Sequence, residues 1–320
     1  MSAQRPMSPY EWGLLLMLSL LWGGSFFFVG VAVKSLPPLI IVTLRVSIAA
    51  ALLWASAPWT GLKPRRLVTE AGPLLLLGLL NNAIPFVLIV WGQTRLASGL
   101  AAILNASTPV MTVIAAHFLT DSERLNAGKF FGALIGLTGV AAMVGPNMLL
   151  GGGDALAELA VLGAATSYAF ASLFARRFRG RGLTPIEIAT GQVTGSSLLL
   201  LPLAFIFYPP GSFSAPGLLA IAAVLGLASL STAFAYIVYF RILAGAGATN
   251  VVLVTLLAPA TSIALGTLSL GERLPPVAFL GLALIACGLA LIDGRPLRRL
   301  RAMGAYAKNH RRNCRDAAEN

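Results

Sequence analysis

Charge is what this sequence is short of: Asp, Glu, Lys and Arg make up 11% of its 320 residues, against 57% hydrophobic. A water-soluble domain carries roughly 25% charged residues. A chain of this length cannot hide the deficit in a larger core, so lipid is the natural solvent for most of its surface. Cysteine is nearly absent: Cys287 lies in the last apolar run and Cys314 in a basic tail, which excludes a disulfide framework, and no Cys-x-x-Cys spacing suggests a metal. Histidine occurs only as His117 and His310, and there is no HExxH, no nucleophile beside a base and no paired carboxylates. Those absences argue against an integral-membrane enzyme, and no cofactor is implied. Acidic residues are missing from the middle of every apolar run. Glu11, Glu158 and Glu187 fall near run ends, and Glu123 and Glu272 fall in turns. Proton-driven carriers usually keep a carboxylate at mid-membrane, so uniport or exchange is favoured over proton antiport, with Glu187 left as the alternative proton carrier.

What the chain has instead is a series of ten continuous apolar runs, at 11–33, 38–58, 71–93, 97–119, 127–146, 156–177, 185–208, 216–240, 247–270 and 275–293. A helix needs roughly 20 residues to cross a hydrocarbon core of about 30 Å, and the runs show none of the period-2 alternation of a barrel strand. The first run is too long for a signal-peptide core and holds Trp22 and three phenylalanines, so it reads as a span. The fold class expected is therefore an all-α integral membrane protein with ten transmembrane helices. The net charge of +12 is placed to orient it. With the N-terminus inside, the inner side receives Arg5, Lys63, Arg65, Arg66, Arg124, Lys129, Arg176, Arg177, Arg179, Arg181, Arg241 and the tail arginines and lysine after Asp293; the outer side receives only Lys34, Arg95 and Arg273. That asymmetry predicts both termini in the cytoplasm and a cytoplasmic (inner) membrane location. The basic tail, 294–320, is expected to meet anionic lipid headgroups. Nucleic acid is not an expected partner, since no base-reading or stacking surface accompanies the charge.

The chain also contains itself twice. The segment from Gly78 to Val144 matches the one from Gly226 to Ile292, at an offset that drifts only from 148 to 150 residues. Pro109 pairs with Pro259, Ser122-Glu123-Arg124-Leu125 with Gly271-Glu272-Arg273-Leu274, Gly132 and Gly139 with Gly281 and Gly288, and, more loosely, Pro38 with Pro185. A five-helix unit has an odd number of crossings, so its second copy enters the membrane from the opposite face, giving the two inverted five-helix repeats of secondary transporters. The divisions expected are a cytoplasmic N-terminus (1–10), a first repeat (11–146), an outer linker (147–155), a second repeat (156–293) and the tail.

With those residues in view the chain resembles the drug/metabolite transporter superfamily, EamA type. The resemblance rests on Leu21-Trp22-Gly23-Gly24-Ser25-Phe26 in the first run, Pro38 followed seven residues later by Arg45, and the twice-occurring block of mid-run proline, Glu-Arg turn and glycine-rich last run. It covers about residues 11–293, with Ser122-Glu123-Arg124 standing where the family often has Gly-Glu-Arg. It implies export or exchange of small metabolites such as amino acids, and a central cavity lined by the first, third, fourth, sixth, eighth and ninth spans. A channel or facilitator without alternating access is the alternative.

Polar residues inside a bilayer are expensive and mark function by default. Trp22, Ser25, Asn81, Asn82, Asn105, Thr108, Thr166, Tyr168, Tyr236 and Thr255 are the candidates for contact with a small-molecule substrate, alongside Ser167, Ser231 and Thr232 in the same spans. Pro109 and Pro259 each free the carbonyl four residues back, near Asn105 and Thr255, either to face a wet cavity or merely to kink the span. Asn81 and Asn82 point about 100° apart, so one can face the cavity while the other bonds a neighbouring helix. Arg45 is the one basic residue well inside a run; it either pairs with carbonyls or headgroups, snorkelling outward, or binds an anionic substrate. Glu123, Arg124, Glu272 and Arg273 are expected to cap span ends and hold the loops. Gly128, Gly132 and Gly136 form a stripe at spacing four, suited either to packing on the tenth span or to a homodimer.

Overall fold

A computed structural model of the chain describes residues 7–120, 127–149, 154–178, 180–209, 211–212, 215–246, 251 and 253–293. All regular structure among them is helical. Eight helices are long and apolar enough to cross a membrane: α1 (Pro9–Ala32), α2 (Pro38–Ala55), α3 (Ala71–Gly92), α4 (Ser98–Leu119), α5 (Ala127–Val144 at its most apolar, continuing to Leu149), α6 (Ala155–Phe178), α7 (Pro185–Phe207) and α8 (Leu218–Leu243). Two shorter apolar helices follow, α9 (Val254–Leu270) and α10 (Pro276–Ile292). The run expected from 247 is described as helix only from Val254, because 247–250 and 252 lie outside the described residues. The turn Ser122-Glu123-Arg124-Leu125 and the basic tail also lie outside them.

Local sequence sets the helix starts. Pro9, Pro38, Pro185 and Pro276 occupy first helical positions, where a missing N–H costs nothing. Ser8 with Glu11, and Thr184 with Glu187, form reciprocal capping boxes at α1 and α7. Gly271 ends α9 at φ 68°, a left-handed stop that suits glycine. Large apolar side chains remain exposed on the outward faces, among them Leu20, Leu52, Phe131, Leu198, Phe207, Leu219 and Leu268. Such a surface is stable against lipid tails and not against water, so the chain is a multi-pass membrane protein.

The largest helix contacts correspond when the first five helices are exchanged with the last five. Helix α5 packs on α10 and α2 on α7; α1–α9 corresponds to α6–α4, α3–α6 to α8–α1, and α3–α7 to α8–α2. The α5–α10 contact carries the exchange down to single residues. A Cβ on Gly132 would lie 2.6 Å from the Gly288 carbonyl oxygen, and a Cβ on Gly139 would lie 2.8 Å from that of Gly281. Swapping the halves turns one of these contacts into the other. Without side chains there, the two backbones approach closely enough for van der Waals packing to hold the pair in lipid. Gly136, from the same stripe, faces Val110 of α4. Gly132 and Gly136 are thus used inside the chain, and a second copy would have to dock elsewhere.

Helices α3 and α8, third in each half, share an irregularity. Residues Leu79–Ala83 and Ser229–Phe234 wind as π-helix, with an ordinary α-helix on either side. In α3, Pro85 lies just beyond and withholds the amide that the Asn81 carbonyl would accept. Widened turns of this kind are frequent at functional sites, and both face the middle of the helix bundle.

Candidate functional site

The site is assembled from α2 and α7, which pack on each other and present side chains to the two π-helical segments. Seven residues after the starting proline of each stands a long polar side chain, Arg45 after Pro38 and Gln192 after Pro185. Arg45 Nε donates to Thr232 Oγ1 in the π-segment of α8, at 2.9 Å. Gln192 Oε1 accepts from Asn81 Nδ2 in the π-segment of α3, at 3.0 Å. The two contacts join corresponding helices, but in opposite sense: Arg45 donates and Gln192 accepts. The Thr232 hydroxyl in turn donates to the Leu227 carbonyl at 2.8 Å, five residues back in the widened turn.

Arg45 does not snorkel. It is 7% exposed, and its guanidinium carbon lies 3.6 Å from the centroid of the Phe86 ring, a cation–π contact. Tyr168 and Tyr236 lie within electrostatic reach of it. Arg45 is the eighth of the eighteen residues of α2, and its head turns inward to a polar partner on α8. Pairing with carbonyls or headgroups is therefore replaced by a bond to a side-chain hydroxyl. Asn82, four residues before Phe86, is fully buried; its Nδ2 donates to the Tyr236 hydroxyl at 3.3 Å and its Oδ1 has no hydrogen-bond partner. The Ser231 hydroxyl is buried and likewise without a partner. Ser167 on α6 donates to the Leu80 carbonyl at 2.7 Å and ties that helix to the same π-segment.

The structure thus brings together Arg45, Asn81, Asn82, Tyr168 and Tyr236 of the residues singled out from sequence. Trp22 is half-buried and sits 5.6 Å from Tyr239, ring to ring. From there Tyr239, Phe240 and Tyr236 follow at ring separations of 5.0 and 6.2 Å, so Trp22 joins the centre through an aromatic ladder. Ser25 is buried in α1, where Gly23 lets the helix press against the Ala258 carbonyl of α9. Thr166 spends its hydroxyl on the Leu162 carbonyl of its own helix.

At Pro109 helix α4 breaks at Ala106–Ser107, whereas α9 runs through Pro259 without interruption. The carbonyl freed by Pro109, that of Asn105, is not turned to a cavity: Thr108 Oγ1 donates to it at 2.7 Å. The Asn105 side-chain oxygen is buried and unpartnered. Thr255 is half-buried and Pro259 buried. Glu272 accepts from Ser98 N at 2.9 Å and Ser98 Oγ at 2.7 Å, so a residue of the second half caps the start of α4 in the first. Arg273 is exposed beside it.

Sequence reasoning passed over Gln192 and Phe86. Gln192 had a signal, since its distance from Pro185 equals that of Arg45 from Pro38. Phe86 had none, because an aromatic in an apolar run reads as lipid-facing or core.

Against this geometry, the model of the EamA-like transporter family matches the chain twice, over residues 11–145 and 155–293. The chain belongs to the EamA-like transporter family. It is similar to the inner membrane transporter YedA of Escherichia coli (strain K12), itself uncharacterized, at 27% identity over 88% of this chain and 89% of that one. It is similar at 29% identity to a probable terminal-alkyne amino-acid exporter of Streptantibioticus cattleyicolor, over 85% of this chain and 87% of the exporter. One solved crystal structure shares the fold, with a TM-score of 0.63 at 21% identity over 92% of this chain and 99% of that chain. As an EamA-like protein with this array of apolar helices, the chain is a membrane transporter.

Proposed function

We propose that the chain is a secondary transporter that works by alternating access and exports or exchanges small metabolites, such as amino acids or related compounds, across the cytoplasmic membrane. The observation that carries the reading is the polar cluster of buried Arg45, Asn82 and Thr232 with half-buried Tyr168 and Tyr236, drawn from both halves of the chain. Polar groups at that depth are costly, and here Asn82 Oδ1, with the Ser231 hydroxyl next to Thr232 in sequence, keeps unused hydrogen-bonding capacity. The architecture proposed is ten transmembrane helices in two inverted repeats, 11–146 and 156–293, joined by an outer linker, with both termini cytoplasmic. The correspondence of the largest helix contacts and the crossed glycine pairs of α5 and α10 support it, since an inverted pair is free to rock about such a seam. The named exporter among its relatives supports amino acids as the substrate class.

The test is counterflow. Vesicles holding the purified chain are loaded with unlabelled amino acids, and entry of labelled ones is followed. A carrier gives saturable entry that is accelerated by substrate on the far side. Flux that rises without saturation and ignores the far side belongs to a channel and sinks the alternating-access reading.

A further inference from the structure

We propose that Arg45 is the docking point for the carboxylate of the transported substrate, with Asn82 Oδ1 and the Ser231 hydroxyl, in the two π-helical segments, as acceptors for the substrate's donor groups. The proposal rests on the transporter reading and names the chemistry that its central site selects.

Three observations converge on it. First, among the described residues no Asp or Glu forms an ion pair with Arg45. Its hydrogen-bond partner is a neutral hydroxyl, Thr232, and its stacking partner is a ring, Phe86. A guanidinium has five N–H donors in a planar fork that matches a carboxylate, and only Nε is engaged by that bond. A buried cation with neutral neighbours is a costly arrangement unless an anion completes it for part of the working cycle.

Second, the fold does not need the charge. Gln192 occupies the corresponding position in the other half, seven residues after the proline, and bonds the other π-segment as a neutral side chain, accepting where Arg45 donates. A neutral amide holds that contact in one half; the other half holds it with a cation. Packing explains the length and polarity of both residues, and leaves the positive charge of Arg45 unexplained.

Third, the surroundings suit an organic acid with donors of its own. Asn82 Oδ1 and Ser231 Oγ are buried and unpartnered, in the same two π-segments that Asn81 and Thr232 belong to. Tyr236 accepts from Asn82 and stacks on Phe240, and Tyr168 lies within electrostatic reach of Arg45. An acid bearing an amine or hydroxyl near its carboxylate meets both kinds of partner. A simple amine meets the positive charge and is rejected.

The experiment uses the full chain in detergent and in vesicles, with leucine, phenylalanine and threonine as probes, each beside its carboxamide. Losing one charge-assisted hydrogen bond of about 1.5 kcal/mol weakens binding about tenfold. The free acids are therefore expected to raise the melting temperature at concentrations where the carboxamides have no effect. In Arg45→Gln, which copies the side chain the other half uses, acid and carboxamide are expected to bind alike and weakly. Arg45→Lys keeps the preference for the acid, which separates loss of charge from loss of fold. Equal stabilisation by acid and carboxamide in the native chain overturns the proposal, as does no stabilisation by any of the three acids, or an effect reproduced in full by chloride alone. Counterflow in the vesicles separates the two readings. Acid and carboxamide exchanged at equal rates leave a carrier without a carboxylate site at Arg45. Acid-selective binding with no exchange leaves the site and removes the carrier.

Discussion

At Asn82 the two ends of one amide are treated differently: nitrogen donates to Tyr236, oxygen is buried with nothing to accept from. An unmet buried acceptor costs about 1–3 kcal/mol, while the hydrogen bond that the nitrogen makes inside a membrane returns roughly 0.6 kcal/mol. Replacing Asn82 by Leu, similar in size and free of polar atoms, is therefore expected to leave the melting temperature within a few degrees of the native chain. Counterflow at matched membrane abundance is expected to fall at least about tenfold, the worth of one hydrogen bond to a charged group. A large drop in stability with full transport per molecule would falsify that placement of Asn82. The neighbouring Asn81 is the contrast, since its bond to Gln192 ties α3 to α7; Asn81→Leu is expected to lower stability more than Asn82→Leu does. Which of two adjacent asparagines turns inward was not legible in the letters. A widened turn alters the usual 100° step, and the partner that decides the matter is 111 residues away. The same holds for Arg45, visible as an oddity within an apolar run, but with a direction set by Thr232, 187 residues further on.

Helices were legible as lengths and faces were not. Each apolar run is hydrophobic on every side, so no stripe marks its inner face, and inner faces had to be sought through scattered polar residues. The π-segments left only indirect traces, Pro85 beyond Asn82 in α3 and the Ser-rich stretch from Ser229 in α8. Glycines were the better guide, because a repeated pair at matched offset has to mean close approach. Helix α5 against α10 is accordingly where a small change is expected to act strongly: Gly132→Leu drives a side chain into the Gly288 backbone. Overpacking of this sort costs typically 1–3 kcal/mol, read as a lower melting temperature and lower yield. Gly128, exposed at the head of the same stripe, accepts alanine with little effect on either. At the start of α4 the capping carboxylate of Glu272 makes a second element-level prediction. Glu272→Ala is expected to cost about 1 kcal/mol, the ordinary worth of a cap, and Glu272→Gln distinctly less, both measured by thermal melting.

For the whole molecule the sequence was most informative through what repeats and where charge falls. Two segments with like glycines, prolines and turns suggested two copies of one unit before any contact was known. The packing between the copies was not readable, because equivalent residues do not touch one another: Gly132 meets Gly288, not its own counterpart Gly281. The expectation for the basic tail after Asp293 belongs at this scale too. If its arginines fix the orientation of the last helix, removing residues 296–320 lowers membrane abundance while transport per inserted molecule holds; unchanged abundance with lost counterflow would assign the tail a part in transport. The cap on α4 has a bearing on how the chain is made. Ser98 and Glu272 stand 174 residues apart, and a ribosome adds roughly 5–20 residues per second. Roughly 10–35 s therefore pass between synthesis of the amides at the head of α4 and synthesis of the carboxylate that satisfies them. During that interval the first half waits in the bilayer unfinished. A gene cut between the halves should yield a first product that is degraded when made alone and rescued when the second is made beside it.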